Sequence, residues 1–395
     1  MAWYAWSSDM INKILGLSSF FEHETVNIII ENRNSFFIFC VYWLLNLIIF
    51  KIMKVLVTGG LGYIGSHTVV ELIQKGYEVI IGDNLSNSSI ETIKKIEQIT
   101  DVRPLFKLID FREMDAVKSL FDEYEFENII HFAALKSVSE SVKFPNLYYE
   151  NNVGSLENIL ECLKSKPGKN FNLIFSSSCT VYGQAKKLPI DESSPVVNQE
   201  SPYGETKKIC EEIIQNQTIK SKNLNAISLR FFNPIGAHES SLIGELPNGI
   251  PDNLVPYITQ TAIGKRKELT IFGNDYPTRD GTCIRDYIHI KDLAEAHVAA
   301  IEFLSNIKEE NFYDFFNVGT GKGITVLELV KMFEEINNIK LNYRIGDRRN
   351  GDITSAYADT EKVNKTIGWH SKNEISNALK TAWEWELKLS NINDN

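Results

Sequence analysis

Four glycines crowded between residues 59 and 65 constrain this chain more than anything else in it. They lie inside KVLVTGGLGYIGSHTVVELIQKGYEVIIGDN, Lys54 to Asn84. Before them, Val55-Leu56-Val57 is the β-branched apolar run that a buried strand needs. After them, Val69, Val70, Leu72 and Ile73 predict a helix packed on a sheet over Ser66 to Lys75, and Gly76 ends it. Tyr77 to Ile81 reads as a second strand with Asp83 at its end. Strand, glycine turn, helix, strand, acid is the order of a dinucleotide-binding βαβ unit.

Glycines let the backbone turn tightly and let a pyrophosphate come close, while the free N–H groups and dipole of the helix N-terminus face the phosphates. Gly60-Leu61-Gly62-Tyr63-Ile64-Gly65 fits the GxGxxG spacing, and Gly59, Gly62 and Gly65 fit the shifted GxxGxxG version. Asp83 is placed to accept hydrogen bonds from an adenosine ribose. Its charge would repel the extra phosphate of NADP, so NAD is the expected cofactor.

The 395 residues, 43% hydrophobic and 23% charged, allow a large core and more than one domain. The net charge of -10 is dispersed, which argues against nucleic acid as the main partner. Cys40, Cys162, Cys179, Cys210 and Cys283 show no CxxC spacing, and their odd number excludes a complete disulfide framework. No metal is expected, because no His, Asp and Glu cluster has ligand spacing. His67 and His289 are expected to be structural. A reducing, cytoplasmic setting is the simpler expectation. Residues 1–52 differ in texture: they hold Trp3, Trp6 and Trp43 and the apolar run Phe36 to Phe50. That run falls short of the about 20 residues a spanning helix needs. Two readings stay open: a membrane anchor through residues 36–50, or upstream sequence ahead of a start at Met53.

From Met53 the chain alternates strand and helix. Further strands are expected at Pro104–Ile109, Asn128–Phe132, Phe171–Ser176 and Ala226–Phe231, with helices at Asn152–Ser165 and Tyr203–Gln217 between them. Repeated βα units imply an α/β fold, a Rossmann-type doubly wound parallel sheet, followed by a smaller C-terminal α/β substrate-binding domain. The expected division is an extension over 1–52, a cofactor domain over 53–232, a substrate domain over 233–389 with some segments returning to the first sheet, and a tail over 390–395.

Ligands in such sheets bind outside the carboxyl ends of the strands. There the fifth strand runs into Ser176-Ser177-Ser178-Cys179-Thr180-Val181-Tyr182-Gly183, and Ser201-Pro202-Tyr203-Gly204-Glu205-Thr206-Lys207 follows. Tyr203 and Lys207 are i and i+4 on one helix face. An ammonium beside a phenol favours the phenolate and lowers its pKa from about 10, and the positive nicotinamide of NAD+ would lower it further. Tyr203 is therefore the candidate general base, with Lys207 tuning it and Ser178 placed to hydrogen-bond the same hydroxyl.

TGGLGYIGSH (58–67), DNLSNS (83–88), HFAALKSVSESV (131–142), SSSCTVYG (176–183), SPYGETK (201–207), RFFNPIGAH (230–238), IFGNDYPTRDGTCIRDYIH (271–289) and RRNGD (348–352) together resemble the extended short-chain dehydrogenase/reductase superfamily, and within it the UDP-glucose 4-epimerase family. The resemblance spans Met53 to about Trp385. It implies interconversion of UDP-galactose and UDP-glucose by reversible oxidation at C4 through a 4-keto sugar, with NAD held tightly. NAD would be bound by Gly59, Gly62, Tyr63, Ile64, Gly65, Asp83, Asn84, Asn87, Asp110, Phe111, Phe132, Ala133, Lys136, Asn151, Ser178, Tyr203, Lys207 and Phe232. Position 111 is more often a small aliphatic in the family. The UDP-sugar would be held by Lys136, Ser178, Tyr203, Asn233, Asn253, Leu254, Ile271, Phe272, Arg285, Arg349 and Asp352. Two guanidinium groups suit two phosphates; an ordinary salt bridge from Arg285 to Asp286 or Asp292 is the competing reading. The family is usually a homodimer, and the helices at Asn152–Ser165 and Tyr203–Gln217 are the candidate contacts.

Dehydratases and decarboxylases of nucleotide sugars share the scaffold, but they place an acidic residue just before Val-Tyr-Gly, where this chain has Cys179 and Thr180. A non-catalytic NAD-binding protein is the more distant alternative, and it would be expected to lose Tyr203 or Lys207. Ala356 aligns where some bacterial members place a tyrosine, which would leave room for an N-acetyl group and extend the substrates to UDP-GalNAc and UDP-GlcNAc. A one-residue shift would put Tyr357 there instead.

Overall fold

The computed structural model describes residues 53–196, 201–221, 223–349 and 351–393. The expectations for residues 1–52 lie outside them. Among the described residues no helix is long and apolar enough to cross a membrane.

The chain begins with β1 (Lys54–Thr58), α1 (Tyr63–Gln74), β2 (Glu78–Asp83), α2 (Thr92–Thr100), β3 (Leu105–Leu108), α3 (Met114–Glu123) and β4 (Asn128–His131). The short helices α4 (Val138–Lys143) and α5 (Pro145–Tyr148) follow. A π-helical turn at Tyr149–Val153 then runs into α6 (Gly154–Lys164), so the helix expected from Asn152 starts in a wider coil. Next come β5 (Phe171–Ser178), a 3₁₀ turn (Cys179–Tyr182), α7 (Pro202–Lys220), β6 (Leu224–Phe231) and β7 (Asn233–Ile235). The remainder is α8 (Leu254–Ala262), β8 (Leu269–Phe272), β9 (Ile284–His289), α9 (Ile290–Asn306), β10 (Tyr313–Val318), β11 (Gly323–Thr325), α10 (Val326–Asn337), β12 (Tyr343–Gly346), β13 (Ser355–Ala356), α11 (Glu361–Ile367) and α12 (Ile375–Asn393). The last helix runs on to Asn393, so the tail expected from residue 390 is helical as far as it is described.

Seven parallel strands form one sheet in the order β10-β6-β5-β4-β1-β2-β3. The order reverses between β1 and β4, which opens a crevice at their carboxyl ends. Both faces are covered. Val69, Val70 and Leu72 of α1 join Leu293, Ile301 and Leu304 of α9 on one side. Leu120 of α3, Leu156 and Ile159 of α6 and Ile214 of α7 cover the other. Burial on two faces explains the unbroken apolar runs in β1, β4 and β5. A smaller sheet, β11-β9-β13 with β7 beside β9, and the parallel pair β12-β8 form the wall beyond the crevice.

Behind the strand ends lies a buried ionic knot. Arg230 of β6 donates to Glu211 of α7 through Nε at 2.9 Å and Nη2 at 2.5 Å, with both side chains almost fully enclosed. Ser177 Oγ donates to the same carboxylate at 2.5 Å. Arg230 Nη1 donates to Tyr182 Oη at 3.0 Å, and Tyr182 donates in turn to Asn317 Oδ1 at 2.8 Å. One network thus joins β5, β6, α7, β10 and the 3₁₀ turn. Removing one partner strands the other charge out of water. Glu211→Ala is therefore expected to destabilise the chain by about 3–5 kcal/mol, read as a lowered midpoint in urea unfolding; a change within experimental error would refute it.

Candidate active site

The glycine turn sits in the crevice at the end of β1. Gly59 has φ +67°, and a Cβ there would lie 2.8 Å from the Ala133 amide nitrogen at the end of β4. A Cβ on Gly65 would meet the Gly59 carbonyl oxygen at 2.3 Å, so the first turn of α1 can press on the loop only without a side chain. Gly62 caps α1 with no side chain on the first-turn amides, those of Tyr63, Ile64 and Gly65. An open helix N-terminus in a cradle that side chains would fill suits a pyrophosphate. These residues fit the dinucleotide expected of them.

Asp83 is buried and braces this turn: Oδ2 accepts from the Leu61 amide at 3.0 Å, and Oδ1 from the Leu85 amide at 2.9 Å and Ser88 Oγ at 2.8 Å. Asn84 Oδ1 accepts from the Ser86 amide at 3.0 Å, and Asn87 Oδ1 from Asn248 Nδ2 at 3.1 Å. Asp110 is gripped by Arg112, whose guanidinium holds the carboxyl below its usual range. The Phe111 side chain does not line the crevice. It is buried in the core with its ring against Gly82, so only its backbone is left to meet an adenine. Tyr63 Oη donates to the Gly236 carbonyl at 2.7 Å, Ile64 packs on the core, and the Phe132 ring lies 4.7 Å from that of His297. Phe232 is buried with Val181 and Tyr182.

Ser201 caps α7 by accepting from the Gly204 amide at 3.2 Å, and Pro202 fixes its first turn. Tyr203 is thereby set at the helix start, next to the end of β5. Lys207 Nζ lies 5.9 Å from the Tyr203 ring centre and donates to the Ser176 carbonyl at 2.7 Å. Ser178 Oγ accepts from the Thr180 amide at 3.2 Å. Burial acts against the lowering expected of Tyr203: it pushes the phenol up to about 12, against a smaller lowering by Ser178. Burial also brings Lys207 down to about 8, so it stays charged at neutral pH and loses its proton above that value.

Sequence reasoning missed Asn152. Its Oδ1 accepts from the Leu135 amide at 2.8 Å and from Asn151 Nδ2 at 3.0 Å. Its Nδ2 donates to the Leu135 carbonyl at 3.1 Å and to Thr206 Oγ1 at 3.1 Å. It thereby clamps the segment leading to Lys136 onto the helix that carries Tyr203. The wider coil of the π turn was the missing signal, since nothing in the residues around Asn152 announces it.

On the far wall Arg285 and Arg349 both turn to Asp352: Arg349 Nη2 donates to Oδ1 at 2.7 Å, and Arg285 Nη2 lies 3.9 Å from the same atom. Asp286 and Asp292 are occupied elsewhere, with Thr320, Gly321 and Ala358 on the first and Lys372 and Asn373 on the second. Phe272 is half exposed under Arg349, while the Ile271 side chain is in the core and offers only its backbone. Asn233 begins β7, and Leu254 opens α8 behind Asn253. Lys136 Nζ and Asn253 Nδ2 meet on Glu245, at 3.0 and 2.6 Å. Ala356 and Ala358 point into the cluster around Val181 and Tyr182, whereas Tyr357 turns to Gly323. Ala356 and Tyr357 thus face opposite ways, as neighbours on a strand do.

The family described as GDP-mannose 4,6 dehydratase matches residues 56–382. A UDP-glucose 4-epimerase of Drosophila melanogaster is 45% identical over 343 residues, which cover 85% of this chain and 97% of that protein. The structure of a UDP-glucose 4-epimerase of Stenotrophomonas maltophila with bound NAD and formylated UDP-arabinopyranose aligns with a TM-score of 0.83 at 41% identity, over 86% of this chain and 99% of that one. The epimerase of Bifidobacterium longum in complex with NAD+ and UDP aligns with a TM-score of 0.81 at 42% identity, over 86% and 99%.

Proposed function

The chain belongs to the UDP-glucose 4-epimerase family, and from that premise we propose how its residues interconvert UDP-galactose and UDP-glucose. The observation that carries the reading is the buried trio of Tyr203, Lys207 and Ser178 at the end of β5, one strand from the open glycine turn. NAD would be held by the glycine turn, Lys136, Asn151 and Lys207, and would supply reversible hydride acceptance at C4 of the sugar. Tyr203 takes the proton of the 4-hydroxyl and later returns it to the 4-keto sugar, with Ser178 holding the same oxygen. Its phenol, raised by burial, needs positive charge beside it to act near neutral pH. Lys207 provides one such charge, and the oxidised nicotinamide provides a second. Arg285 and Arg349 hold the diphosphate, so the keto sugar turns over while tethered. Asn233, Asn253, Leu254, Phe272 and the backbone at Ile271 line the uridine side. Fixed placement is the main catalytic gain. We assign residues 53–232 to cofactor binding and 233–389 to sugar-nucleotide binding, with α9 and β10 returning to the first sheet.

The dehydratase alternative meets a chemical obstacle. Burial pushes the Cys179 thiol up to about 12, and the Thr180 hydroxyl is enclosed, so neither position offers the acid or base that eliminating water requires. Substrate breadth follows from Ala356, whose methyl group leaves the space that an N-acetyl group at C2 would fill. A second copy of the chain is proposed to cover Val138, Val142, Phe144 and Leu147. These exposed apolar residues lie on α4, α5 and the segment between them, beside α7, one of the two helices where contact was expected.

Three outcomes test this. Protein given UDP-galactose without added NADH should form UDP-glucose to an equilibrium mixture, and Tyr203→Phe should lower the rate by about 10²–10⁴-fold; absence of conversion by the unaltered chain would sink the reading. UDP-GalNAc should also be converted, and Ala356→Tyr should remove that activity while sparing UDP-galactose. Light scattering should give twice the chain mass, falling to one chain in Phe144→Glu.

A further inference from the structure

We propose that Glu245 is a positioning residue that couples the cofactor side of the crevice to the diphosphate side. The inference rests on the epimerase reading above.

Glu245 lies on the segment between β7 and α8, and its side chain is only 10% exposed. One oxygen, Oε1, accepts from both Lys136 Nζ at 3.0 Å and Asn253 Nδ2 at 2.6 Å. The first belongs to the lip that follows β4, the second to the start of α8. The backbone that carries Glu245 is anchored from behind. Trp385 Nε1 of α12 donates to the Glu245 carbonyl at 2.9 Å, and the Trp385 ring packs so closely on Gly244 that a Cβ there would lie 2.7 Å from it. Two more contacts tie the same segment to the opposite lip. Ser137 Oγ donates to Asp252 Oδ2 at 2.6 Å, and Asn248 Nδ2 donates to Asn87 Oδ1 at 3.1 Å.

A fixed negative charge beside a place for two diphosphates would by itself repel them. Its use is geometric. An ammonium has three N–H donors and a carboxamide two. By accepting one from each, Glu245 fixes the reach of the Lys136 chain and the flip of the Asn253 amide. Each has further N–H groups to turn toward an anion. The lysine also balances the charge that Glu245 brings.

The test uses the full chain with its bound NAD and three readouts: calorimetric affinity for UDP alone, KM and kcat with UDP-galactose, and NAD released on denaturation. Loss of oriented donors to a charged ligand should weaken UDP binding in Glu245→Ala by about tenfold or more. KM should rise in step, kcat should fall less than KM rises, the melting temperature should hold, and any NAD lost with the freed Lys136 should be recovered in Glu245→Gln. Glu245→Gln keeps an oxygen acceptor in place and should recover most of the UDP affinity. Unchanged UDP affinity in Glu245→Ala overturns the proposal. So does a loss of UDP affinity or of NAD that Gln does not recover, or one accompanied by a lowered melting temperature. If the unaltered chain binds UDP but converts no UDP-galactose, the functional reading fails instead, and the calorimetric comparison still judges Glu245.

Discussion

The buried pair of Arg230 and Glu211 is the interaction on which the site depends. A guanidinium and a carboxylate this deeply enclosed are tolerated only with good geometry and full hydrogen bonding, and here Ser177, Tyr182 and Asn317 complete it. The pair does not touch the reacting atoms. It locks the helix carrying Tyr203 and Lys207 against the strand carrying Ser178, at the cost of removing two charges from water. Asn152 performs the neutral counterpart one layer forward, joining the same helix to the segment that leads to Lys136. Between them Tyr203, Lys207 and Ser178, the proposed catalytic groups, are held by elements that are far apart in sequence.

Burial has opposite effects on the two titrating partners. It disfavours whichever form is charged, so the phenol rises and the ammonium falls. The role proposed for Tyr203 as a base therefore calls for positive charge beside the phenol.

Much of this was legible in the residues, because the physics involved is local. The glycine spacing announced a turn that only glycine can make, and Gly59 and Gly65 meet it with contacts no Cβ could survive. The i and i+4 spacing placed Tyr203 over Lys207, and β-branched runs marked the strands. What could not be read were relations set by tertiary packing. Phe111 looked like an adenine neighbour but is drawn into the core under Gly82. The phenol shift could not be read because it depends on enclosure by distant segments. Asn152 and Glu245 carry no motif, and their importance comes only from what the fold brings beside them. That Ala356 faces Val181 and Tyr182 while Tyr357 turns to Gly323 depends on the pairing of β13, which spacing from Arg349 alone does not give.

The place of β10 has a consequence for how such a chain can be rebuilt. That strand comes from residues 313–318, beyond β7, β8 and β9, yet it forms the edge of the main sheet next to β6. Cutting at residue 232 would leave β6 an open edge and strip Asn317 from the ionic knot. The part after residue 232 therefore cannot be exchanged between relatives as a cassette. A chimera must splice in two places, and only junctions that carry β10 with the first half preserve the wall behind Tyr203.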